Sequence, residues 1–167
     1  MIGETGLLSS LDRAAEGDVE ALMQWFPDER STREWGGPFI RYPFDAASFR
    51  EDLRWGSVVS VVQRSGADGL LAFGQYYERY GRMHLARLAV NPVVRGRGFG
   101  RDFVSRLMTV AHADMDLAEF ALFVYRDNER ACRCYASLGF RPSDYPDGAP
   151  LAGEAVYMTR PVRQAGA

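Results

Sequence analysis

Cysteine is scarce. The two in the 167 residues, Cys132 and Cys134, cannot build a disulfide framework. On a helix, positions two apart project roughly 200° from each other, so the pair neither closes on itself nor clamps one metal; two reduced thiols are expected. No cysteine pair has zinc spacing, and there is no His-Glu-x-x-His and no Gly-x-Ser-x-Gly elbow. Hydrolytic and metal-centred chemistry therefore lack support, and no metal is expected. Apolar runs of about 18 residues are missing, so no membrane helix is expected. The start, "MIGETGLLSSLDRAAEGD", lacks a basic segment followed by an apolar one, so no secretory signal is expected and the location is read as cytoplasmic. A basic surplus is missing too: the formal net charge is −2 and the sequence pI about 5.7, against a general nucleic-acid binder. Repeats and low-complexity tracts are absent.

What is present is core material. Hydrophobic residues make up 47% and aromatic ones 13%, and the length suggests one domain over 1–167 with a flexible tail at 162–167. "GLLSSLDR" reads as a short first strand. Asp18 reads as the N-cap of a helix over "VEALMQWF", in which Val19, Leu22, Met23 and Phe26 share a face. Residues 27–46, with three prolines and two adjacent glycines, read as irregular, and "ASFREDLRW" as a second short helix. "SVVSVVQR", "LLAFGQYYER" and "MHLARLAV" read as a strand meander turning at "SGADG" and "YGR". An amphipathic helix follows from Phe99, then strand "EFALFVYR", a helix capped by Asp127 or Asn128 and ended by Gly139, and strand "EAVYMTRPV". This order predicts an α/β or α+β domain around one mixed sheet.

"VVRGRGFGRD", residues 93–102, lies between a strand ended by Pro92 and that amphipathic helix. Glycines allow tight turns and let a ligand approach backbone N–H groups without meeting a Cβ. Amides at a helix start lack internal partners and lie at the positive end of the macrodipole, a place that holds phosphate. Arg95, Arg97 and Arg101 add charged donors suited to phosphate oxygens. A P-loop would need Gly-Lys-Ser/Thr, which is not here. The dinucleotide fingerprint fails because its register from Gly96 ends on Arg101. The alternative is an ordinary glycine turn with solvated arginines.

Arg95-Gly96-Arg97-Gly98-Phe99-Gly100 resembles the Arg/Gln-x-x-Gly-x-Gly/Ala loop of the GNAT superfamily, the acyl-CoA-dependent N-acyltransferases. "NERACRCYASLGF" is similar to that family's Asn-x-x-Ala-x-x-x-Tyr-x-x-x-Gly-Phe helix, with Asn128, Ala131, Tyr135, Gly139 and Phe140 in register. The two blocks cover about residues 84–141. The resemblance implies a single domain with a mixed, mostly antiparallel sheet, parallel strands that splay at an acyl-CoA cleft, and helices on both faces. It implies acetyl-CoA as acyl donor. Backbone contacts from Leu88, Ala89 and Val90 would meet the pantetheine arm, and the diphosphate would rest on amides of Arg95, Gly96, Arg97, Gly98, Phe99, Gly100 and Arg101. Asn128 would bond near the pantetheine, or simply cap its helix. Tyr135 would be the general acid for the thiolate, or a core tyrosine. An N–H near Val90 would stabilise the acyl oxygen. No acyl-cysteine step is required, since no base is placed by the sequence to activate Cys134.

Many members carry a glutamate on the strand before the loop, where this chain has Ala86. His84, two residues earlier on the same strand face, and Glu78 on the neighbouring strand are the candidate bases, beside water or solvent. His112 is expected to be solvated. Trp35, Phe39, Tyr42, Tyr76 and Tyr77 are candidate walls of the acceptor pocket, with 27–46 as its lid. Asp45, Glu51, Asp52 and Glu78 suit an ammonium group, while Arg33 and Arg41 suit a carboxylate. The expected function is acetyl transfer from acetyl-CoA to a primary amine of a small molecule or peptide. The alternative is an acyl-CoA-binding sensor or structural module without turnover. Acetyl-CoA and an amine are the expected partners, with no nucleic acid and no membrane, and the chain as a monomer or homodimer.

Overall fold

The computed structural model describes residues 11–66 and 69–163. In chain order they form strand β1 (Asp12–Arg13), helices α1 (Glu16–Met23), α2 (Glu29–Gly36) and α3 (Ala46–Asp52), strands β2 (Val59–Ser65), β3 (Gly69–Arg79) and β4 (Arg82–Val90), helix α4 (Phe99–Met115), strand β5 (Glu119–Tyr125), helix α5 (Glu129–Ser137), and strands β6 (Arg141–Pro142) and β7 (Ala155–Pro161). The strands form one seven-stranded sheet in the order β1-β2-β3-β4-β5-β7-β6. β4 and β5 run parallel, whereas β1–β2, β5–β7 and β6–β7 are antiparallel. This is the mixed α/β sheet that the sequence predicts. Among the described residues no helix is long and apolar enough to cross a membrane. The chain divides into two compact units, Met1–Gln75 with Arg87–Leu107, and Tyr76–Ala86 with Met108–Ala167.

In the first unit, α1 begins earlier than the sequence reading placed it. Ala15 is its N-cap. Asp18 lies in the first turn, where its carboxylate reaches back to the Ala15 amide at 2.7 Å and receives a two-pronged contact from Arg64 on β2. Aspartate here is still a helix-start signal, used from inside the helix. Burial alone would raise the Asp18 carboxyl; the bonds from Arg64 and the Ala15 amide outweigh it and hold the group below the ordinary carboxylate range. Val19, Leu22 and Phe26 are buried as their spacing predicts.

Residues 27–46 are not irregular throughout, which corrects the sequence reading. Asp28 caps α2 by accepting from the Ser31 amide at 2.7 Å, and the Thr32 hydroxyl donates to the Asp28 carbonyl at 2.8 Å. A short 3₁₀ turn, Gly37–Phe39, follows. Pro27 and the Gly36-Gly37-Pro38 run are the borders of a helix rather than signs of its absence. α3 is capped by Asp45 through the Ser48 amide at 2.8 Å. In β3, Gly74 has no side chain where one has no room: a Cβ there would lie 2.8 Å from Phe103 and 3.0 Å from Leu107, both on α4, and 2.9 Å from Leu88 on β4.

In the second unit a two-residue turn joins β3 to β4, with Tyr80 and Gly81 at φ 54° and 72°, the pairing of positive angles that a tight hairpin favours. Met83 and Leu85 alternate into the core with Phe120, Leu122 and Val124 of β5. β6, only two residues at the sheet edge, escaped the sequence reading. Part of the expected first strand, Ala67 and Asp68 of the "SGADG" turn, and residues 164–167 of the expected tail lie outside the described residues.

Two stability measurements check these contacts. Gly74→Ala should lower the urea-unfolding free energy by about 1–3 kcal/mol, because the backbone of β3 and the side chains on α4 must move apart. Asp18→Ala should cost about 1–2 kcal/mol at pH 7, discounted because Arg64 is partly solvated. A carboxylate held low in the fold stabilises above its ordinary value near about 3.9 and ceases to do so as the pH falls through its folded value. The gap between wild type and Asp18→Ala should therefore narrow as the pH falls below the ordinary carboxylate value, read from denaturation midpoints.

Candidate functional site

β4 is followed by Asn91, whose side chain fixes the exit of the chain. Its amide NH₂ donates to the Leu70 carbonyl at 2.9 Å and its Oδ1 accepts from the Val93 amide at 3.0 Å. A 3₁₀ turn, Pro92–Val94, follows, with Val94 buried as its anchor. Beyond Val94 the chain rises into solvent: Arg95, Gly96, Arg97, Gly98 and Arg101 are exposed. Gly96 and Gly98 both adopt φ 83°, a region that costs any other residue steric strain. A Cβ on Gly98 would meet nothing within 4 Å, so the backbone there faces open space. α4 starts at once, and its Asp102 amide donates to the Gly98 carbonyl at 3.3 Å. The amides of Phe99 and Gly100 precede that bond and have no carbonyl four residues back within the helix. Gly100 faces Val90: a Cβ there would lie 3.3 Å from the valine Cγ2. Arg95 turns back, its Nε donating to the Val90 carbonyl at 3.3 Å. The Asp102 carboxylate in the same first turn is engaged by Arg106 at 2.9 Å and by Gln63 at 3.4 Å. Every permanently charged basic side chain in the sequence is an arginine; there is no lysine.

Leu88 and Val90 are half-buried and Ala89 is buried. They follow Arg87, which holds φ 50° inside β4. The parallel ladder is registered at Met83–Phe120 and His84–Ala121, before that residue. The Arg87 guanidinium donates to the Gln75 Oε1 at 2.8 Å. The sequence reading passed over both residues. Neither belongs to a local pattern, and a left-handed arginine leaves no mark in sequence.

The other residues of the first unit serve the N-terminal core and its surface. Trp35 stacks on Phe26 at 4.0 Å and on Phe49 at 5.8 Å. Tyr42 and Phe39 are exposed, and the Tyr42 hydroxyl donates to the Pro27 carbonyl at 2.8 Å. Arg41 is bound to Asp52 at 2.9 Å and to Glu51 at 3.2 Å, so its charge is already answered.

In the second unit, Asn128 caps α5 with its Oδ1 on the Ala131 amide at 3.2 Å. The helix closes at Gly139, φ 94°. Tyr135 is half-buried and meets Phe140 edge-on at 6.1 Å. Burial of its hydroxyl, helped by the Cys134 and Cys132 thiols, pushes the phenol well above the ordinary tyrosine range. It therefore keeps its proton at neutral pH. Cys132 and Cys134 are free thiols. His84 is buried, its ring 5.2 Å from Tyr77 and 5.3 Å from Phe123. Glu78 is exposed. Tyr76 is 1% exposed and its hydroxyl donates to Asp114 at 2.8 Å. Its ring lies in the core, while Tyr77 beside it is half-buried. His112 is partly exposed and 3.4 Å from Asp116. Among the described residues no group of three or more potential ligands could hold a metal ion.

Residues 19–140 match the family model described as acetyltransferase (GNAT) family. Among solved structures, similarity extends to an aminoglycoside acetyltransferase in complex with paromomycin and acetyl-CoA, at 22% identity and a TM-score of 0.72, over 92% of this chain and 93% of that one. The spermidine N-acetyltransferase of Vibrio cholerae in complex with CoA and spermine is 14% identical with a TM-score of 0.69, over 91% and 94%. The ribosomal-protein-S18-alanine N-acetyltransferase of Escherichia coli is 19% identical with a TM-score of 0.65, over 94% and 96%. At such identities the structural likeness is one of fold. The family model, spanning most of the chain and both sequence blocks, carries the assignment: the chain belongs to the acetyltransferase (GNAT) family.

Proposed function

We propose that the protein is an N-acetyltransferase that moves the acetyl group of acetyl-CoA directly to a primary amine. The observation that carries this reading is the 95–101 loop. Two glycines in the left-handed region, open space beside Gly98 and the start of α4, whose Phe99 and Gly100 amides have no carbonyl four residues back in the helix, make a cradle of amides suited to a diphosphate. Arg97 and Arg101 at the surface supply permanent positive charge. Family membership makes the diphosphate of a coenzyme A thioester the natural occupant.

Acetyl-CoA supplies an activated acyl carbon: a carbon–nitrogen bond forms to the amine and the carbon–sulfur bond breaks. In this reading the backbone of Leu88, Ala89 and Val90 aligns the pantetheine arm, and an amide near Val90 receives the acyl oxygen as its negative charge grows. Tyr135, kept protonated by its surroundings, donates to the departing sulfur. Asn128, with Oδ1 spent on its cap, has its NH₂ group for the pantetheine. The ammonium proton leaves to Glu78, His84 or solvent; the burial of His84 favours the exposed carboxylate or water. The exposed Tyr42 and Phe39 and the half-buried Tyr77 are the aromatic contacts proposed for the acceptor. Trp35, stacked on Phe26 and Phe49, lies against the core.

The test is a thiol-release screen with acetyl-CoA against polyamines, aminoglycosides and peptide N-termini, alongside thermal shift with CoA. A rise in melting temperature with saturating CoA and turnover of at least one amine are expected. A shift without turnover would assign a binding module instead, and no shift would remove both. Tyr135→Phe should lower kcat at least about tenfold while the KM for acetyl-CoA stays within about twofold. Because burial holds Tyr135 protonated above its usual range, the kcat profile of the wild type should show no descending alkaline limb below about pH 10.

A further inference from the structure

β4 contains a left-handed arginine immediately before the three residues whose amides the proposed function uses, and that arginine is tied from the side. Arg87 donates to Gln75 Oε1 at 2.8 Å. Gln75 is 0% exposed, and its Nε2 donates to the Leu53 carbonyl at 2.8 Å and to the Ser60 hydroxyl at 2.9 Å. With both donors and its acceptor occupied, this side chain has one orientation. Leu53 follows directly on Asp52. The Asp52 carboxylate takes the Arg41 amide at 2.9 Å and the Arg41 guanidinium at 2.9–3.1 Å. Burial would raise the Asp52 carboxyl, but the Arg41 bonds and the charges of Arg41 and Arg87 hold it low. It is an anion bound by the Arg41 guanidinium.

A non-glycine residue at φ 50° inside a strand persists only where its surroundings hold it. Here the holding contacts come from β3, β2 and the end of α3 rather than from the neighbouring turn. We infer that Arg87 is a positioning residue: its side chain, anchored on the buried Gln75, fixes the break in β4 that aims the amides of Leu88, Ala89 and Val90 at the acyl donor. The same tether joins those amides to the 41–53 segment that carries Arg41 and Tyr42, so that a change on the acceptor side is felt at the strand that holds the thioester. This rests on the acetyltransferase reading for its kinetic arm and on the structure alone for its dynamic arm.

The experiment compares wild type with Arg87→Met, Arg87→Asn, Arg87→Lys and Gln75→Met, each first checked for cooperative unfolding. Amide hydrogen exchange is followed at Leu88, Ala89 and Val90, and kcat and KM for acetyl-CoA are measured with the best amine from the screen. Asparagine tolerates the left-handed backbone but is too short to reach Gln75, so it separates the tether from the backbone conformation. Arg87→Met, Arg87→Asn and Gln75→Met should each speed exchange at those amides by about tenfold or more and lower kcat about tenfold, with KM for acetyl-CoA within about twofold. Arg87→Lys, which keeps one donor, should recover part of kcat. The double variant Arg87→Met/Gln75→Met should be no worse than either single one. Exchange and kcat at wild-type values in folded Arg87→Met and Arg87→Asn would overturn the inference. A wild type that turns over no amine would defeat the functional reading instead, and the exchange arm would still decide the tether.

Discussion

The close approach of α4 to β3 at Gly74 is the contact on which the site depends. Phe103 and Leu107 of α4 and Leu88 of β4 converge on the one position of β3 that has no side chain. That convergence sets where the helix begins relative to the end of β4. The first turn of α4 and the loop that leads into it therefore inherit their placement from packing in the core, not from the loop itself. Val94, buried at the base of the loop, and the double grip of Asn91 on Leu70 and Val93 supply the other boundary. Between two fixed ends, the Gly96 and Gly98 backbone takes left-handed angles, with open space beside Gly98. Flexibility in composition here yields a shape, because the ends leave the glycines little choice.

The division of labour between local and distant contacts explains what could be read in the sequence. The glycine loop and the Asn128–Phe140 helix each state their chemistry within about a dozen neighbouring residues, and local rules for turns and caps suffice for them. α4, β5 and the meander followed from periodicity for the same reason. Asp18 misled because a first-turn aspartate that bonds back to Ala15 and a true N-cap look alike in sequence. The helix at 29–36 was hidden by its own borders, Pro27 and Gly36-Gly37-Pro38, although Asp28 and Ser31 stood in capping positions. Gln75 and Arg87 could not have been found that way. Their bond joins two strands, and the handedness of residue 87 is a product of the fold. Tyr76 and Tyr77, adjacent and chemically alike, differ only in which face of β3 they occupy, and a one-residue ambiguity in strand phase exchanges their roles.

Charge in the N-terminal half is largely spent on itself. Arg50 is shared between Glu16 and Glu20, Arg41 between Glu51 and Asp52, and Arg64 between Asp12 and Asp18. These pairings tie α3 to α1 and β2 to α1. In the proposed reading, discrimination among amines falls to shape and to the exposed rings of Phe39 and Tyr42 more than to a single ion pair. The Tyr42 hydroxyl is held by the Pro27 carbonyl, which fixes that ring without a charged group.

The exclusive use of arginine has a consequence for chemistry in which amines are the reactants. A guanidinium stays protonated throughout the range where proteins fold, so it offers no lone pair to an activated acyl group. In the proposed reading, a lysine in the 95–101 loop would serve a diphosphate equally as a point charge, yet would place a competing nucleophile beside a reactive thioester. With no side-chain amine anywhere in its 167 residues, the protein would then hold an acyl donor beside arginines that offer it no target.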